Sequence, residues 1–349
     1  MRVAVTGSSG LIGTALADSL RQDGHEVTRV VRRPPQPGEI RWDPQAGRGG
    51  LDPAALDGVD AVVHLSGAPI AGGWWTQARK QKLRASRIQS TQTLVSAITA
   101  AAVPPRVLLS GSAIGWYGDT GEREADESAP AGTGFLASLV SDWEAATRPA
   151  RQAGLRVVNL RSGVVLSRRG GMLALLTLPF RFGLGARLGA GTQFISWISL
   201  TDHVRALRYL LDHAAIDGPV NLTAPAPVTN AAFTAELARA LHRPAVLRIP
   251  APVLRAVLGE LSGELLVSQR VLPRRLIEAA DFAFRHPDIA DALAAELLPA
   301  FRPRSPRTSR PGHANPLPER HRGPGGPRWA RTAGSATAAA PARKAPRGS

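Results

Sequence analysis

The chain has 349 residues and no cysteine, which excludes disulfide bonds, thiolate metal sites and a cysteine nucleophile. Its formal net charge of +16 lies mostly in residues 301–349, which carry +10, so the first 300 residues carry only +6 and are not the basic body expected of a nucleic-acid-binding protein. The sequence shows no basic leader and no run of about 18 apolar residues, so we expect a soluble cytoplasmic protein with no membrane partner.

Short apolar runs alternate with helical patterns along the first 225 residues. The runs are nearly continuous in Val, Leu, Ile and Ala, which is typical of strands buried on both faces of a parallel sheet. The predicted strands are Arg2–Thr6, Glu26–Val31, 61–65, 107–110 and 157–160, and the predicted helices are Leu11–Gln22, 77–101, 136–152 and 202–213. The alternation predicts an α/β fold with a doubly wound Rossmann sheet over residues 1–225.

The pattern changes towards the C-terminus. Residues 229–300 are mostly helical, with breaks at Pro244, Pro250, Pro252 and Pro273, which predicts a small helical domain over residues 226–300. Residues 301–349 are rich in Pro, Arg, Gly and Ala and have no periodicity, which predicts a disordered basic tail. A solvated extension is the simpler interpretation of this tail, and an arm that contacts RNA or acidic surfaces is the alternative.

A glycine-rich segment, residues 6–13, joins the first predicted strand to the first predicted helix. In this setting Gly7 permits a tight turn, Gly10 lets a pyrophosphate approach the backbone, and Gly13 lets the helix pack against the strand. The start of the helix also offers free N–H groups and the positive end of its dipole to phosphates. The segment therefore predicts a nicotinamide dinucleotide site, and a turn without a ligand is the alternative.

The second predicted strand is followed by Arg32 and Arg33, and it has no acid where NAD-binding proteins often bind the ribose 2′-hydroxyl. Two guanidinium groups suit a 2′-phosphate, which they can bind through paired hydrogen bonds. Charge complementarity thus favours NADP(H) over NAD(H), while a solvated basic turn before Pro34 is the alternative.

Small residues follow the strand predicted at 61–65 and would let a nicotinamide ribose pass close to the backbone. His64 in this strand is expected to be a hydrogen-bonded buried group rather than an acid or base. The predicted cofactor-binding residues are Thr6, Gly7, Ser9, Gly10, Leu11, Ile12, Gly13, Arg32, Arg33, Leu65, Ser66, Gly67, Ala68 and Ser110.

Segments distributed over residues 1–298 match a known family. They are residues 6–13, 60–68, 110–118, 134–137, 142–144, 160–166 and 219–225, Ser86-Arg87 with Ser90-Thr91, residues 196–198 with Asp202, and residues 248–298. Together they resemble extended short-chain dehydrogenases/reductases, and more specifically the atypical epimerase-family proteins of the NAD-dependent epimerase/dehydratase group, which have a small C-terminal domain of unknown function. The resemblance implies an NADP(H)-dependent oxidoreductase or epimerase acting on a small polar substrate, with a sugar nucleotide as one candidate.

The wider superfamily uses a Ser and a Tyr-x-x-x-Lys pair on a helix, where the Lys lowers the pKa of the Tyr that exchanges a proton with substrate. The helix predicted at 136–152 has neither Tyr nor Lys. Ser112 and Tyr117 are therefore the predicted catalytic residues, whereas Asp142 and Glu144 are expected to cap or solvate the helix. The missing pair leaves a non-catalytic NADP(H)-binding sensor or scaffold protein as the alternative function. The partners implied are the dinucleotide and an unidentified small molecule, and no metal site is predicted.

Overall fold

The computed structural model describes residues 1–70, 73–279 and 281–297. Its strands are β1 (Arg2–Thr6), β2 (Glu26–Val31), β3 (Glu39–Arg41), β4 (Ala61–His64), β5 (Val107–Ala113), β6 (Glu124–Ala125), β7 (Arg156–Ser162), β8 (Val164–Leu166), β9 (Ala186–Leu188), β10 (Phe194–Ile195), β11 (Trp197–Ser199), β12 (Gly218–Leu222), β13 (Val228–Thr229), β14 (Leu247–Ile249) and β15 (Arg270–Val271). Its α-helices are α1 (Leu11–Gln22), α2 (Gln77–Ala100), α3 (Phe135–Ala145), α4 (Arg148–Gln152), α5 (Gly171–Arg181), α6 (Leu200–Asp212), α7 (Asn230–Leu241), α8 (Ala251–Leu258), α9 (Leu261–Leu266), α10 (Arg274–Ile277) and α11 (Ile289–Leu297). Short 3₁₀ helices occur at Pro53–Leu56 and Ile114–Tyr117.

Seven strands form one parallel sheet in the order β12-β7-β5-β4-β1-β2-β3. The chain builds the sheet outward from β1 to β3, returns to β4 on the other side of β1, and continues outward to β12. The order therefore reverses between β1 and β4, and such a reversal opens a crevice at the carboxyl ends of the strands. This topology confirms the predicted doubly wound Rossmann fold.

Both faces of the sheet are covered because alternate side chains of each strand point to opposite sides. Val3 and Val5 pack on one face with Leu16 of α1 and with apolar residues of α6. Ala4 packs on the other face with Leu94 of α2. Burial on both faces explains why the central strands are nearly continuous runs of apolar residues.

The structure corrects the predicted elements at three places. The edge strands β3 and β12 were not predicted, and β3 has only three residues, none of them fully buried. The helix predicted at 136–152 is divided into α3 and α4. Pro149 lies in the first turn of α4 and has no N–H to continue a helix from α3, which accounts for the break.

The C-terminal region is mainly helical, as predicted. Phe233 and Leu237 of α7 and Leu293 of α11 are buried in one apolar cluster with Trp197 of β11. The domain limits at residues 225 and 300 stay a prediction, and the tail predicted to be disordered lies outside the described residues. Within the described residues, no helix combines the length and the apolar character needed to cross a membrane.

Candidate functional site

The glycine-rich turn lies between the carboxyl end of β1 and the start of α1. Gly7 has a φ of +67°, and a Cβ built on it would lie 2.7 Å from the Leu65 carbonyl oxygen. A Cβ on Gly13 would lie 2.3 Å from the Gly7 carbonyl oxygen. These two positions therefore need glycine for the fold itself, because a side chain would collide with backbone.

Gly10 has a less crowded environment, because it lines a cleft and a Cβ built on it would meet a single atom within 4 Å. Its φ of −78° and ψ of 171° are accessible to any residue, and the nearest atom to a Cβ built there is the Gly7 carbonyl oxygen at 3.2 Å. Gly10 caps α1 without a side-chain hydrogen bond, and the first N–H groups of a helix have no partner within it. Open backbone at a helix N-terminus is a cradle that fits a pyrophosphate.

A cleft of about 960 Å³ extends from this turn past the carboxyl ends of β2, β3 and β4. The predicted residues that line it are Gly7, Ser9, Gly10, Arg32, Arg33, Leu65, Ser66, Gly67 and Ala68. Thr6 and Ser110 are fully buried in their strands, and Leu11, Ile12 and Gly13 form the first turn of α1. The structure thus brings most of the predicted cofactor-binding residues to one cleft.

Buried polar side chains hold the loop that follows β4. The Thr6 hydroxyl and His64 Nδ1 are 2.7 Å apart, and the Leu65 N–H donates to the Thr6 hydroxyl at 3.2 Å. Arg87 of α2 donates to the Ala68 carbonyl oxygen at 3.0 Å. Burial lowers the pKa of His64 to about 4, so this histidine is neutral near pH 7 and is the hydrogen-bonded buried group expected from the sequence.

Four arginines line the end of the cleft beside β2 and β3. They are Arg29, Arg32, Arg33 and Arg41. Arg33 donates two hydrogen bonds of 2.7 Å to the Glu39 carboxylate, and Arg29 Nε donates to the Ser8 hydroxyl at 3.1 Å. The sequence analysis found no acid after β2, but β3 supplies one in Glu39.

A second polar cluster lies at the carboxyl ends of β5, β7 and β12. Ser112, Arg161 and Asn221 occupy matching register positions on these adjacent strands. Glu144 of α3 accepts a bond of 2.6 Å from the Ser112 hydroxyl and bonds of 2.8 and 3.0 Å from Arg161. Glu144 was expected to cap or solvate the helix, but only 10% of its side chain is exposed, and it is the buried partner of Arg161.

Tyr117 joins the same cluster through its phenol. The hydroxyl donates to Asn221 Oδ1 at 2.7 Å and accepts from Arg161 Nη1 at 3.0 Å. Burial raises the pKa of Tyr117 to about 12, so the phenol is protonated at neutral pH. Both Tyr117 and Ser112 are at most 5% exposed. The structure therefore brings the two predicted catalytic residues into one buried cluster, and their catalytic role stays a prediction.

The face of α3 towards the loop after β4 is apolar. Phe135 packs edge to face on Trp75, with ring centroids 5.3 Å apart, and Leu139 is buried in the same cluster. Asp142 lies on a more exposed part of α3 and pairs with Arg84. As the sequence indicated, α3 has no Tyr or Lys that could act as a proton relay.

The sequence analysis missed several residues that line the cleft. Ser8 lies inside the glycine-rich segment, whose spacing alone could have drawn attention to it. Arg41 ends β3, a strand too short to give a periodic signal. Lys82, Ser86 and Ser90 line the cleft from α2, and their spacing of four residues places them on one helical face. That spacing was the available signal for these three residues.

Comparison with known proteins agrees with the family resemblance seen in the sequence. The profile of the NAD dependent epimerase/dehydratase family matches residues 3–222, and that of a domain of unknown function (DUF1731) matches residues 249–296. Epimerase family protein Mb2239 of Mycobacterium bovis is 52% identical over 293 residues, which cover 83% of this chain and 96% of that protein. Epimerase family protein SDR39U1 of Mus musculus is 39% identical over 297 residues, which cover 84% of this chain and 98% of that protein.

Two solved structures share the fold. The crystal structure of human epimerase family protein SDR39U1 with NADPH has a TM-score of 0.78 and 37% identity, with coverage of 85% of this chain and 99% of that one. A nucleoside-diphosphate sugar epimerase from Corynebacterium glutamicum has a TM-score of 0.70 and 38% identity, with coverage of 85% of this chain and 58% of that one. The family match over residues 3–222 agrees with the sheet order and the glycine turn and confirms the resemblance seen in the sequence, so the chain belongs to the NAD-dependent epimerase/dehydratase family.

Proposed function

We propose that this chain is an NADP(H)-dependent oxidoreductase or epimerase that acts on a small polar substrate. The observation that carries the proposal is the glycine turn, where Gly7 and Gly13 are crowded by backbone and Gly10 is open. A turn with a purely structural role needs glycine at Gly7 and Gly13, where a side chain would collide with backbone, but it has no such need at Gly10. The open position favours a ligand with phosphates at the start of α1.

The cleft fits a dinucleotide in size and in the order of its residues. Its volume of about 960 Å³ is at the upper end of the range for small-molecule sites. In this proposal Gly10 and the first turn of α1 hold the pyrophosphate, Arg32 holds the adenosine 2′-phosphate with Arg33, and Ser66 and Gly67 lie beside the nicotinamide ribose. A bound nicotinamide would supply or accept a hydride.

The choice of NADP(H) over NAD(H) rests on charge at the adenosine end. Arg32 is exposed and lines the cleft, so its guanidinium can meet a 2′-phosphate without first leaving a buried site. The human relative was crystallised with NADPH, which supports the same choice at 37% identity. The relative from Corynebacterium glutamicum is described as a nucleoside-diphosphate sugar epimerase, which supports a sugar nucleotide as a candidate substrate.

For the chemical step we propose that Ser112 and Tyr117 act together with the Glu144–Arg161 pair. The phenol of Tyr117 is protonated at neutral pH because burial raises its pKa to about 12, so in a proton transfer it would act as an acid rather than as a base. Glu144 accepts from Ser112 and could take up a proton through that hydroxyl. Ser112 and Tyr117 are buried, so a substrate would reach them only after local movement of the residues that cover them.

A second candidate function is a non-catalytic NADP(H)-binding sensor or scaffold protein. The specific observation in its favour is α3, where Phe135 and Leu139 pack in an apolar cluster and no residue of the helix is Tyr or Lys. A dinucleotide bound beside this face would find no proton relay on α3. The sensor would bind cofactor and change its affinity for a partner without turnover.

Titration with NADPH and NADH, followed by nicotinamide fluorescence, tests cofactor binding. We expect wild type to bind NADPH more tightly than NADH, and Arg32→Ala to raise the Kd for NADPH by roughly tenfold or more, as the loss of a charge-assisted hydrogen bond implies. Arg21→Ala is the matched control, because Arg21 lies in the last turn of α1, at the end opposite the glycine turn. Failure of wild type to bind either nucleotide would overturn the proposal.

Turnover separates the two candidate functions. Protein saturated with NADPH or NADP⁺ is mixed with carbonyl compounds, alcohols and sugar nucleotides, and nicotinamide absorbance and product composition are followed. A change with any of these substrate classes that is lost in Glu144→Gln, at a temperature where that variant is folded, supports the enzyme. Tight cofactor binding with no turnover in this panel would instead favour the sensor.

A further inference from the structure

Glu39 is an acidic residue enclosed by basic groups at the adenosine end of the cleft. It lies on β3 directly beside Arg29 of β2, and only 7% of its side chain is exposed. Its carboxylate accepts two bonds of 2.7 Å from Arg33 and one of 2.9 Å from the Gln36 N–H, and Arg29 Nη1 lies 3.6 Å from it. Glu39 is therefore fixed in place and faces two arginines at once.

Arg29 and Arg33 line the cleft, whereas Glu39 lies behind them. Arg33 Nη1 donates both to Glu39 and to the Pro34 carbonyl oxygen at 2.9 Å, so both hydrogens of that nitrogen are used. Arg29 Nε is bonded to the Ser8 hydroxyl of the glycine turn at 3.1 Å. Glu39 thus fixes the two guanidinium groups and cancels part of the positive charge that a phosphate would meet.

The other charged residues at the adenosine end of the cleft do not neutralise Arg29 and Arg33 as Glu39 does. Arg32 and Arg41 also line the cleft, and both are exposed. Asp43 is the acid that lines the cleft beside them, and its carboxylate accepts from the Gln45 N–H. Glu39 is therefore the carboxylate that contacts cleft-lining guanidinium groups directly, and its charge acts where a ribose phosphate would be read.

We propose that Glu39 is a specificity-determining residue of the cofactor site, which limits the preference for NADP(H) over NAD(H) by neutralising Arg29 and Arg33. The inference rests on the proposed function, because it takes the adenosine ribose to lie at these arginines. It follows that Arg32 carries most of the discrimination between the two dinucleotides. A phosphate has to compete with Glu39 for Arg33, whereas a 2′-hydroxyl does not.

The test is Glu39→Gln, which keeps the side-chain size and an acceptor oxygen for Arg33 but removes the negative charge. We expect the Kd for NADPH to fall roughly fivefold while the Kd for NADH stays within about twofold, because a single carboxylate repels the dianionic 2′-phosphate of NADPH even in a water-like dielectric. The gain should shrink as salt is added, because the charges are screened. Nicotinamide fluorescence gives both constants, and competition by 2′,5′-ADP and 5′-AMP isolates the adenosine end.

Three further variants complete the design. Glu26→Gln is the matched control, because Glu26 is an exposed acid at the opposite end of β2, where it pairs with Arg2 at 3.4 Å. Removing its charge should leave both constants unchanged. Arg32→Met tests the same idea without touching Glu39, and we expect it to raise the Kd for NADPH several times more than Arg33→Met, which removes a guanidinium that Glu39 already engages.

The outcomes separate this inference from the proposed function. If Glu39→Gln weakens NADPH binding, or changes the Kd for both nucleotides by the same factor, Glu39 only holds the loop and the inference is wrong. The same conclusion follows if Glu26→Gln gives the same gain, since the effect would then be one of total charge. Failure of wild type to bind either dinucleotide overturns the proposed function and this inference with it, whereas tight wild-type binding with an unchanged ratio in Glu39→Gln overturns the inference alone.

Discussion

Gly10 and Gly13 belong to the same turn, yet we expect their substitution to have different effects. In Gly10→Val the new side chain enters the proposed cofactor cradle, so the variant should fold but lose NADPH binding. In Gly13→Ala the new methyl lies 2.3 Å from the Gly7 carbonyl oxygen, so the variant should lose stability. The contrast separates a glycine needed for a ligand from a glycine needed for the fold.

The magnitudes follow from these environments. Alanine is favoured over glycine by about 1 kcal/mol inside a helix, whereas overpacking against fixed backbone costs about 1–3 kcal/mol. A contact as short as that of Gly13 puts the cost at the upper end, for a net loss of about 2 kcal/mol, or about 3 °C in Tm for a chain of this size. Gly10→Val disturbs a helix cap, which costs about 1 kcal/mol, and makes a contact of 3.2 Å with the Gly7 carbonyl oxygen, but it should cost less stability than Gly13→Ala and should raise the Kd for NADPH at least about tenfold.

Urea unfolding and NADPH titration measure the two effects on the same samples. Gly263→Ala is the control for the substitution itself, because Gly263 lies in α9 with open space around it and has no positive φ. That variant should be as stable as wild type or slightly more stable. The reasoning is refuted if Gly10→Val binds NADPH like wild type, or if Gly13→Ala is as stable as Gly263→Ala.

Three further predictions concern the buried polar groups. Glu144→Gln should lower the free energy of unfolding by about 3 kcal/mol, because it leaves the buried Arg161 without its charge partner. Asp142→Asn breaks a half-exposed pair and should cost less than about 1 kcal/mol. Similar urea midpoints for the two variants would contradict this prediction. Burial lowers the pKa of His64 and His203 to about 4, so the unfolded chain binds protons first as the pH falls below about 6.5, and the free energy of unfolding should drop by about 2 kcal/mol per histidine between pH 7 and pH 5. Equal stability at the two pH values would show that these histidines are not buried in the neutral form. Tyr117→Phe leaves two buried partners of the phenol unsatisfied and should cost about 2 kcal/mol, and unchanged kcat in the folded variant would remove Tyr117 from the chemical step.

The cofactor half of the site was predictable because it is local in sequence. Residues 6–13 contain the end of a strand, a turn and the start of a helix, and Gly7 and Gly13 are required by contacts within this segment and with Leu65. The central strands were predictable for a related reason, since burial on both faces leaves nearly continuous apolar runs. In both cases the physical cause lies within a few residues of the signal.

The acidic partners were not predictable, because they depend on contacts between distant residues. Glu144 meets Arg161 only because β5 and β7 pair in the register that places Ser112 beside Arg161. Glu39 meets Arg33 only because the short edge strand β3 pairs with β2. Judged from sequence, either carboxylate could equally be solvated, and no feature of the sequence pattern distinguishes a solvated carboxylate from one paired with an arginine.

The two halves of the site differ in what holds them, and this difference decides how the enzyme and sensor hypotheses can be separated. In the proposed function the dinucleotide is held at the backbone of the glycine turn and at Arg32, so its binding should not depend on the chemistry of α3. A proton relay depends on side chains, and on α3 that region is filled by Phe135 and Leu139. Under the enzyme hypothesis we therefore expect proton transfer to use the cluster of Glu144, Ser112, Arg161 and Tyr117, which spans α3 and the neighbouring strands. Glu144→Gln should then reduce kcat without changing the Kd for NADPH if the chain is an enzyme, whereas in a sensor it should change only stability.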